Sequence, residues 1–295
     1  MTQHLLILGG GGMLGHKLWQ NALARFETKA TVRSGARFFT ERGFPAETIL
    51  EHVDVNDNDV LLRAFAAARP DVVVNCVGVV KQLAAGHDPL ISISLNSLLP
   101  HRLAEICGTT GARLIHISTD CVFSGRKGMY TESDVSDAED LYGRTKILGE
   151  VSGPKCVTLR TSMIGRELTA RNGLVEWFLS RRGATVNGYA RAIFSGLTTE
   201  VLSRLILDVI EWHPEMSGVY HVSSDPISKY DLLRLLDEAY QTKTEIRRDE
   251  SVMIDRSLDS TRFRAAASFA PPSWRDMVAA MAADPTPYDH WRETL

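Results

Sequence analysis

The sequence predicts an α/β protein: a doubly wound parallel sheet followed by a smaller, mostly helical C-terminal domain. Three observations carry this. Short β-like runs alternate with helical patterns through the first half. Several of those runs, such as Leu5–Leu8 and Val72–Val74, are apolar without alternation, as strands buried on both faces are. After Arg166 the helical patterns dominate.

Taken in order, strands are expected at Leu5–Leu8, Lys29–Val32, Ile49–Val53, Val72–Asn75, Arg113–Ile117 and Cys156–Arg160. Between them, helices are expected at Met13–Arg25, Asp57–Ala68, Leu95–Cys107 and Leu141–Glu150. The second of these carries apolar residues at helical spacing in V-L-L-R-A-F-A-A-A, and Pro70 follows its end. Six strands with intervening helices make a Rossmann-like domain over residues 1–165. Residues 166–295 form the second domain, with helices at Gly173–Arg181, Thr199–Trp212 and Lys229–Tyr240 and short strands at Val219–Val222 and Thr244–Arg247. Ser228, three residues before Asp231, resembles a capping box at the last of these helices. With no repeat or linker between them, the two domains are expected to share one interface and a cleft.

Composition narrows the function. The chain has 295 residues, 44% hydrophobic and 23% charged, enough to bury a core without disulfide or metal staples. Its 33 basic and 36 acidic residues give net −3, so no global positive field is available for nucleic acid. Cys76, Cys107, Cys121 and Cys156 include no C-x-x-C pair, which fits reduced thiols and argues against a zinc site. No Lys or Arg precedes the first apolar stretch, which breaks into glycines after four residues, so no secretory leader is expected. No run approaches the roughly 18 apolar residues of a membrane span. The expectation is a cytoplasmic protein with no membrane, metal or nucleic-acid partner.

The first strand runs into Gly9-Gly10-Gly11-Gly12-Met13-Leu14-Gly15 and then a helix. Gly10, Gly12 and Gly15 satisfy G-x-G-x-x-G, and Gly9, Gly12 and Gly15 satisfy G-x-x-G-x-x-G. Either way, missing side chains permit a tight turn, and the helix N-terminus offers free N–H groups to a pyrophosphate. The bland alternative is a glycine-rich turn. Where an NAD-binding strand ends in a carboxylate for the ribose 2′-hydroxyl, the second strand here ends Thr31-Val32-Arg33. A guanidinium suits a 2′-phosphate, which favours NADPH with NADH as the alternative; Arg33 could also simply face solvent. Asp54, followed by Val55, is placed to accept from an adenine amino group or to cap the next helix. Asn75-Cys76-Val77-Gly78 again offers backbone to a cofactor.

Tyr142 and Lys146 stand four residues apart in L-Y-G-R-T-K, so on a helix both act at one place. A nearby ammonium favours the phenolate and brings the tyrosine, with a free pKa of about 10, into use as a proton donor. Thr119, at the end of the fifth strand, could hydrogen-bond the same carbonyl oxygen. The alternative for Y-x-x-x-K is an amphipathic helix with one buried ring.

Gly9–Gly15, Asn75–Gly78, I-S-T-D-C-V-F-S-G at Ile117–Gly125, Tyr142–Glu150 and L-R-T-S-M-I-G at Leu159–Gly165 together resemble the extended short-chain dehydrogenase/reductases, in particular the dTDP-4-dehydrorhamnose reductase branch of nucleotide-sugar reductases. The resemblance implies a catalytic triad of Thr119, Tyr142 and Lys146, with Lys146 also on the nicotinamide ribose. It further implies Thr161 and Ser162 near the nicotinamide, a sugar nucleotide on the C-terminal domain and, by analogy, a homodimer. Dehydratases of this superfamily follow the Thr with Asp-Glu; here Asp120-Cys121 follows, which argues against dehydration. Cys121 departs from the aromatic residue usual in the rhamnose branch and is similar to the proton-exchanging Cys of GDP-fucose synthase. The His that such an enzyme uses beyond the nicotinamide strand has no counterpart between Ile117 and Trp212. Lys81 is placed either to reach the substrate or as an exposed loop lysine, and Asn96 sits where related enzymes keep a structural Asn. His87, His101 and His116 have no metal-ligand spacing and read as surface or core residues. The expected activity is NADPH-dependent reduction of the 4-keto group of a nucleotide-activated 4-keto-6-deoxy sugar, for a surface polysaccharide. Epimerisation, alone or combined with reduction, and a non-catalytic NADP-binding regulatory subunit are the alternatives.

Overall fold

The computed structural model describes residues 3–81, 84–169 and 171–293. The elements alternate as expected at first: β1 (His4–Leu8), α1 (Met13–Ala22), β2 (Glu27–Thr31), α2 (Arg37–Thr40), β3 (Ile49–Leu50), α3 (Asn58–Ala68) and β4 (Val72–Asn75). Next come α4 (Pro89–Ser92), a π-helical turn at Ile93–Leu98, α5 (Leu99–Thr110), β5 (Arg113–Thr119), α6 (Leu141–Leu148) and β6 (Cys156–Thr161). The remainder is β7 (Met163–Ile164), α7 (Leu174–Leu179), β8 (Thr185–Phe194), β9 (Leu197–Thr198), α8 (Thr199–Trp212), β10 (Gly218–His221), β11 (Ile227–Ser228), α9 (Lys229–Tyr240), β12 (Glu245–Asp255), α10 (Thr261–Ala267), α11 (Trp274–Ala282) and α12 (Tyr288–Glu293).

The chain divides into two compact units, each of three segments. The first comprises Met1–Ser118, Asp140–Leu159 and Ser203–Val219; the second comprises Thr119–Glu139, Arg160–Leu202 and Tyr220–Leu295.

The seven-stranded sheet has the order β3-β2-β1-β4-β5-β6-β10. The pairs β1–β2, β1–β4, β2–β3 and β4–β5 are parallel. Strand order reverses between β1 and β4, so the loops leaving their carboxyl ends flank the switch point where doubly wound sheets bind ligands. In β1 Leu5–Leu8 are buried, and in β4 all four residues are, which is why both lack alternation. Leu6, Leu8, Leu61, Phe65, Val73, Leu99, Leu103 and Leu114 form the core between this sheet and its helices. Helix α3 starts at Asp57, whose carboxylate accepts from the N–H groups of Asp59 and Val60 at 2.9 and 3.1 Å. It ends at Arg69 in the left-handed region, just before Pro70.

Besides shifts of one or two residues at element ends and the unexpected short helix α2, three elements of this unit differ from expectation. The third strand stops at Leu50 because His52 takes φ +56°, which breaks the extended run. Helix α1 stops at Ala22, and Arg25 in the following turn pairs with Asp208 and Glu211. The helix expected from Leu95 begins at Pro89, capped by Asp88, and passes through the π-helical turn before reaching Thr110.

In the second unit a three-stranded sheet, β11-β8-β12, accompanies the helices. Its two long strands, β8 and β12, are parallel, with an irregularity between Asp249 and Met253. Helix α9 has the anticipated cap: Ser228 Oγ accepts from Asp231 N–H at 3.0 Å and donates to the Asp231 carboxylate at 2.6 Å. No helix of the described residues is long and apolar enough to cross a membrane.

Candidate active site

The glycine loop is built of bare backbone. Gly9 takes φ +83°, where a side chain would be strained. Gly10 N–H donates to Thr31 O at 2.9 Å, Gly9 N–H to Thr31 Oγ1 at 3.2 Å, and Gly12 N–H to Gly9 O at 3.0 Å. A Cβ on Gly15 would stand 2.0 Å from Gly9 O, so the helix can lie against the loop only without one. Gly12 is the N-cap of α1 and supplies no capping side chain, so the first-turn N–H groups, beginning at Met13 and Leu14, have no acceptor within the helix. Backbone donors in a cradle that a Cβ would fill fit the pyrophosphate of a dinucleotide.

Beyond β2, Arg33 is exposed and makes no ion pair with any described residue. Asp54 is exposed and closes a turn by accepting from Asn56 N–H at 2.9 Å, so capping of α3 falls to Asp57 alone. Val55 belongs to the core of the sheet. After β4, the Asn75 carboxamide oxygen accepts from Val77 N–H at 3.0 Å, and burial pushes the Cys76 thiol up to about 12. Gly78 is exposed.

Asn96, on the π-helical turn, holds this segment to α6. Its side chain accepts from Val79 N–H at 2.9 Å and donates to Val79 O at 3.0 Å and Thr145 Oγ1 at 3.3 Å. Gly149, after α6, lies so near that turn that a Cβ would meet Asn96 O at 1.8 Å. Asp140 caps α6 by accepting from Gly143 N–H at 2.7 Å, and the Lys81 ammonium lies 3.8 Å from its carboxylate. Lys81 therefore sits beside the start of the helix that carries Tyr142 and Lys146.

Tyr142 is half-buried and Lys146 buried. The lysine Nζ donates to Ile117 O at 2.7 Å and lies 3.4 Å from His116 Nε2. Burial brings its pKa down to about 8, against the weaker opposing pull of Glu150 and Cys76. His116 is held well below the usual histidine range by burial, then by Lys146 and His101, and is neutral.

Thr119 and Cys121 fall in the second unit. Thr119 is buried; its Oγ1 accepts from Cys121 N–H at 3.1 Å and donates to Asp120 Oδ1 at 3.2 Å. Cys121 is half-buried. The segment that follows is anchored by Phe123, stacked on Tyr130 at 4.2 Å, while His221 donates from Nδ1 to Tyr130 O at 2.9 Å and receives Arg160 at 3.2 Å. Thr161 is buried and donates to Ser162 O at 3.1 Å; that same oxygen accepts from Leu197 N–H.

The family described as RmlD substrate binding domain matches residues 3–286. The chain belongs to this family. Among curated relatives, the dTDP-4-dehydrorhamnose reductase of Mycolicibacterium smegmatis is 27% identical over 246 residues, covering 81% of this chain and 70% of that protein. The enzyme of the same name from Aggregatibacter actinomycetemcomitans is 27% identical over 254 residues, covering 81% of this chain and 80% of its own. The solved dTDP-4-dehydrorhamnose reductase of Bacillus anthracis, in complex with NADP, superposes with a TM-score of 0.78 at 19% identity, covering 95% of this chain and 99% of that one. This likeness places the RmlD-family chain in the Rossmann-type fold.

Sequence reasoning overlooked two residues of the site. Asp140 precedes L-Y-G as a helix cap, a signal present in the sequence. His116 reads as an ordinary core histidine until its strand is paired with β4.

Proposed function

We propose that the chain is an NADPH-dependent reductase of the 4-keto group of a nucleotide-activated 4-keto-6-deoxy sugar. The observation that carries this reading is the buried Lys146 with its Nζ tied to Ile117 O, one turn after Tyr142, in the same unit as the backbone cradle Gly9–Gly15. The named relatives support the substrate class.

In this reading Gly9, Gly12, Met13, Leu14 and Gly15 hold the pyrophosphate, and Arg33 takes the 2′-phosphate. Asp54 and the backbone at Val55 meet the adenine, the segment Asn75–Gly78 lines the cofactor through its less buried part, Cys76–Gly78, and Thr161 and Ser162 flank the nicotinamide. When bound, NADPH supplies the hydride that goes to carbon four. Tyr142 gives its phenolic proton to the oxygen there, so keto becomes hydroxyl. The Lys146 ammonium stabilises the phenolate that remains and holds the ribose. Thr119, its hydroxyl fixed by Cys121 N–H, orients the carbonyl, and Lys81 binds the sugar nucleotide. Residues 166–295 supply the rest of the substrate's binding surface.

A panel of 4-keto sugar nucleotides is expected to contain at least one member that consumes NADPH, followed at the nicotinamide absorbance band, with product structure from NMR. Consumption by none of them would remove the reductase reading in favour of a regulatory one. A combined epimerase is favoured by one observation, the half-buried Cys121 joined through its N–H to Thr119. Deuterium incorporated at carbon three or five in heavy water, only with enzyme, would establish it.

Arg33→Asp is expected to shift the ratio of NADPH to NADH affinity by roughly tenfold to a hundredfold, as loss of about 1.5–3 kcal/mol of charge-assisted hydrogen bonding implies. Fluorescence titration with both cofactors reads this directly. An unchanged ratio takes Arg33 out of the cofactor site.

A further inference from the structure

Asn75 and His116 are direct partners across β4 and β5, and both are fully buried. Their hydrogen bonds leave one consistent arrangement of protons. Val77 N–H donates to the Asn75 oxygen at 3.0 Å, which only a carboxamide oxygen can accept. The Asn75 NH2 is thereby the group that faces His116 Nδ1 at 3.1 Å. A ring nitrogen that receives this donor is bare, so the proton of the neutral imidazole is on Nε2. Nε2 lies 3.4 Å from Lys146 Nζ.

We propose that His116, locked in one tautomer by Asn75, is a positioning residue for Lys146: it presents an N–H to the lysine, so the neutral amine gains a hydrogen bond that the ammonium cannot accept. Ile117 O, at 2.7 Å, accepts from the lysine in either state. The other charged or titratable groups that act on this pair are the Cys76 thiol from the segment after β4, Glu150 beyond the end of α6 and His101 of α5. Of these, Glu150 and Cys76 favour the ammonium while burial disfavours it, and the His116 N–H at 3.4 Å acts in the same direction as burial. A lysine balanced in this way can lose and regain a proton during turnover, as the reprotonation of Tyr142 requires. The consequence for catalysis rests on the reductase reading above; the effect on Lys146 does not.

Two NMR measurements on the full chain test this. In protein labelled with 15N-histidine, the His116 signal, assigned by its loss in His116→Gln, is expected to show a protonated Nε2 and a bare Nδ1. In protein labelled with 13C-lysine, the Lys146 ε-carbon, assigned by its loss in Lys146→Met, is expected to titrate near pH 8. Asn75→Asp, nearly isosteric, is expected to invert the tautomer, since a carboxylate beside Nδ1 demands a proton there. Nε2 then offers a lone pair to the ammonium, and the Lys146 midpoint rises by about one pH unit or more. A proton on Nδ1 in the parent overturns the proposal. So does inversion with an unmoved Lys146, or a moved Lys146 without inversion, which assigns the shift to the added charge alone. If Asn75→Asp does not fold, the parent tautomer decides. Should the midpoint move while the alkaline limb of turnover stays fixed, the inference stands and the assignment of Lys146 to the reaction falls.

Discussion

Gly15→Ala is expected to lower the melting temperature by about 6–12 °C and to abolish cofactor binding at micromolar cofactor. The added Cβ would stand 2.0 Å from Gly9 O, 2.8 Å from Gly9 C and 3.2 Å from Gly10 Cα, all backbone atoms that no rotamer change can move aside. Helix α1 must therefore withdraw from the loop. Overpacking of this kind costs about 3 kcal/mol, the upper part of its usual range, and each kcal/mol is worth roughly 2–4 °C in a domain of this size. Withdrawal also spoils the cradle, because the N–H groups of the first turn leave the loop they act with. Gly108→Ala is the control. Gly108 lies in α5, and its Cβ would meet nothing within 4 Å, so the same substitution there is expected to stabilise by about 0.5–1 kcal/mol. Equal melting temperatures for the two variants would remove the close approach of α1 as the reason for the third glycine.

The contrast between these glycines shows what a single sequence discloses. Gly15 is legible because it stands at a fixed offset after an apolar run and before a helical pattern, and Tyr142 and Lys146 because helical geometry alone brings them to one face. Legibility fails where local signals are weak or misleading. Strand β8 contains Asn187, Gly188, Ala190 and Ala192, poor strand formers, yet Gly188 is required there because a Cβ would meet Ile246 and Tyr230 at 2.8 Å. The π-helical turn at Ile93–Leu98 shifts the phase of the apolar stripe, so one uninterrupted helical period does not describe the segment from Pro89 to Thr110. Helix α11 is a different case. Ser273 accepts from Asp276 N–H at 3.2 Å, the spacing that announces α9 at Ser228, so it was as readable as its neighbour. The Asn75–His116 contact belongs to a third kind: it joins residues 41 apart through strand register, which no local pattern encodes.

Tyr142→Phe is expected to lower kcat about a thousandfold while leaving NADPH affinity within about fivefold, since general-acid catalysis and one neutral hydrogen bond differ in weight by that much. The lost atom is a single oxygen on a half-buried ring, so the melting temperature should fall by no more than one hydrogen bond's worth, about 2–4 °C. Lys146→Met separates the two roles of the lysine differently. In the proposed mechanism it removes the ammonium that stabilises the phenolate, and it leaves Ile117 O without its buried donor, so both kcat and cofactor affinity are expected to fall. The pH profile fixes the direction of coupling. With Lys146 brought down to about 8, turnover by the parent is expected to be full below that pH, where the lysine carries its proton, and to decline as pH rises through it and the ammonium is lost. Under the proposal that the lysine acts on the proton through the tyrosine, the double variant should lose no more in kcat than Tyr142→Phe alone. Losses that multiply instead would mean that Lys146 stabilises the developing charge independently, and turnover by Tyr142→Phe at the parent's rate would assign the proton to another donor.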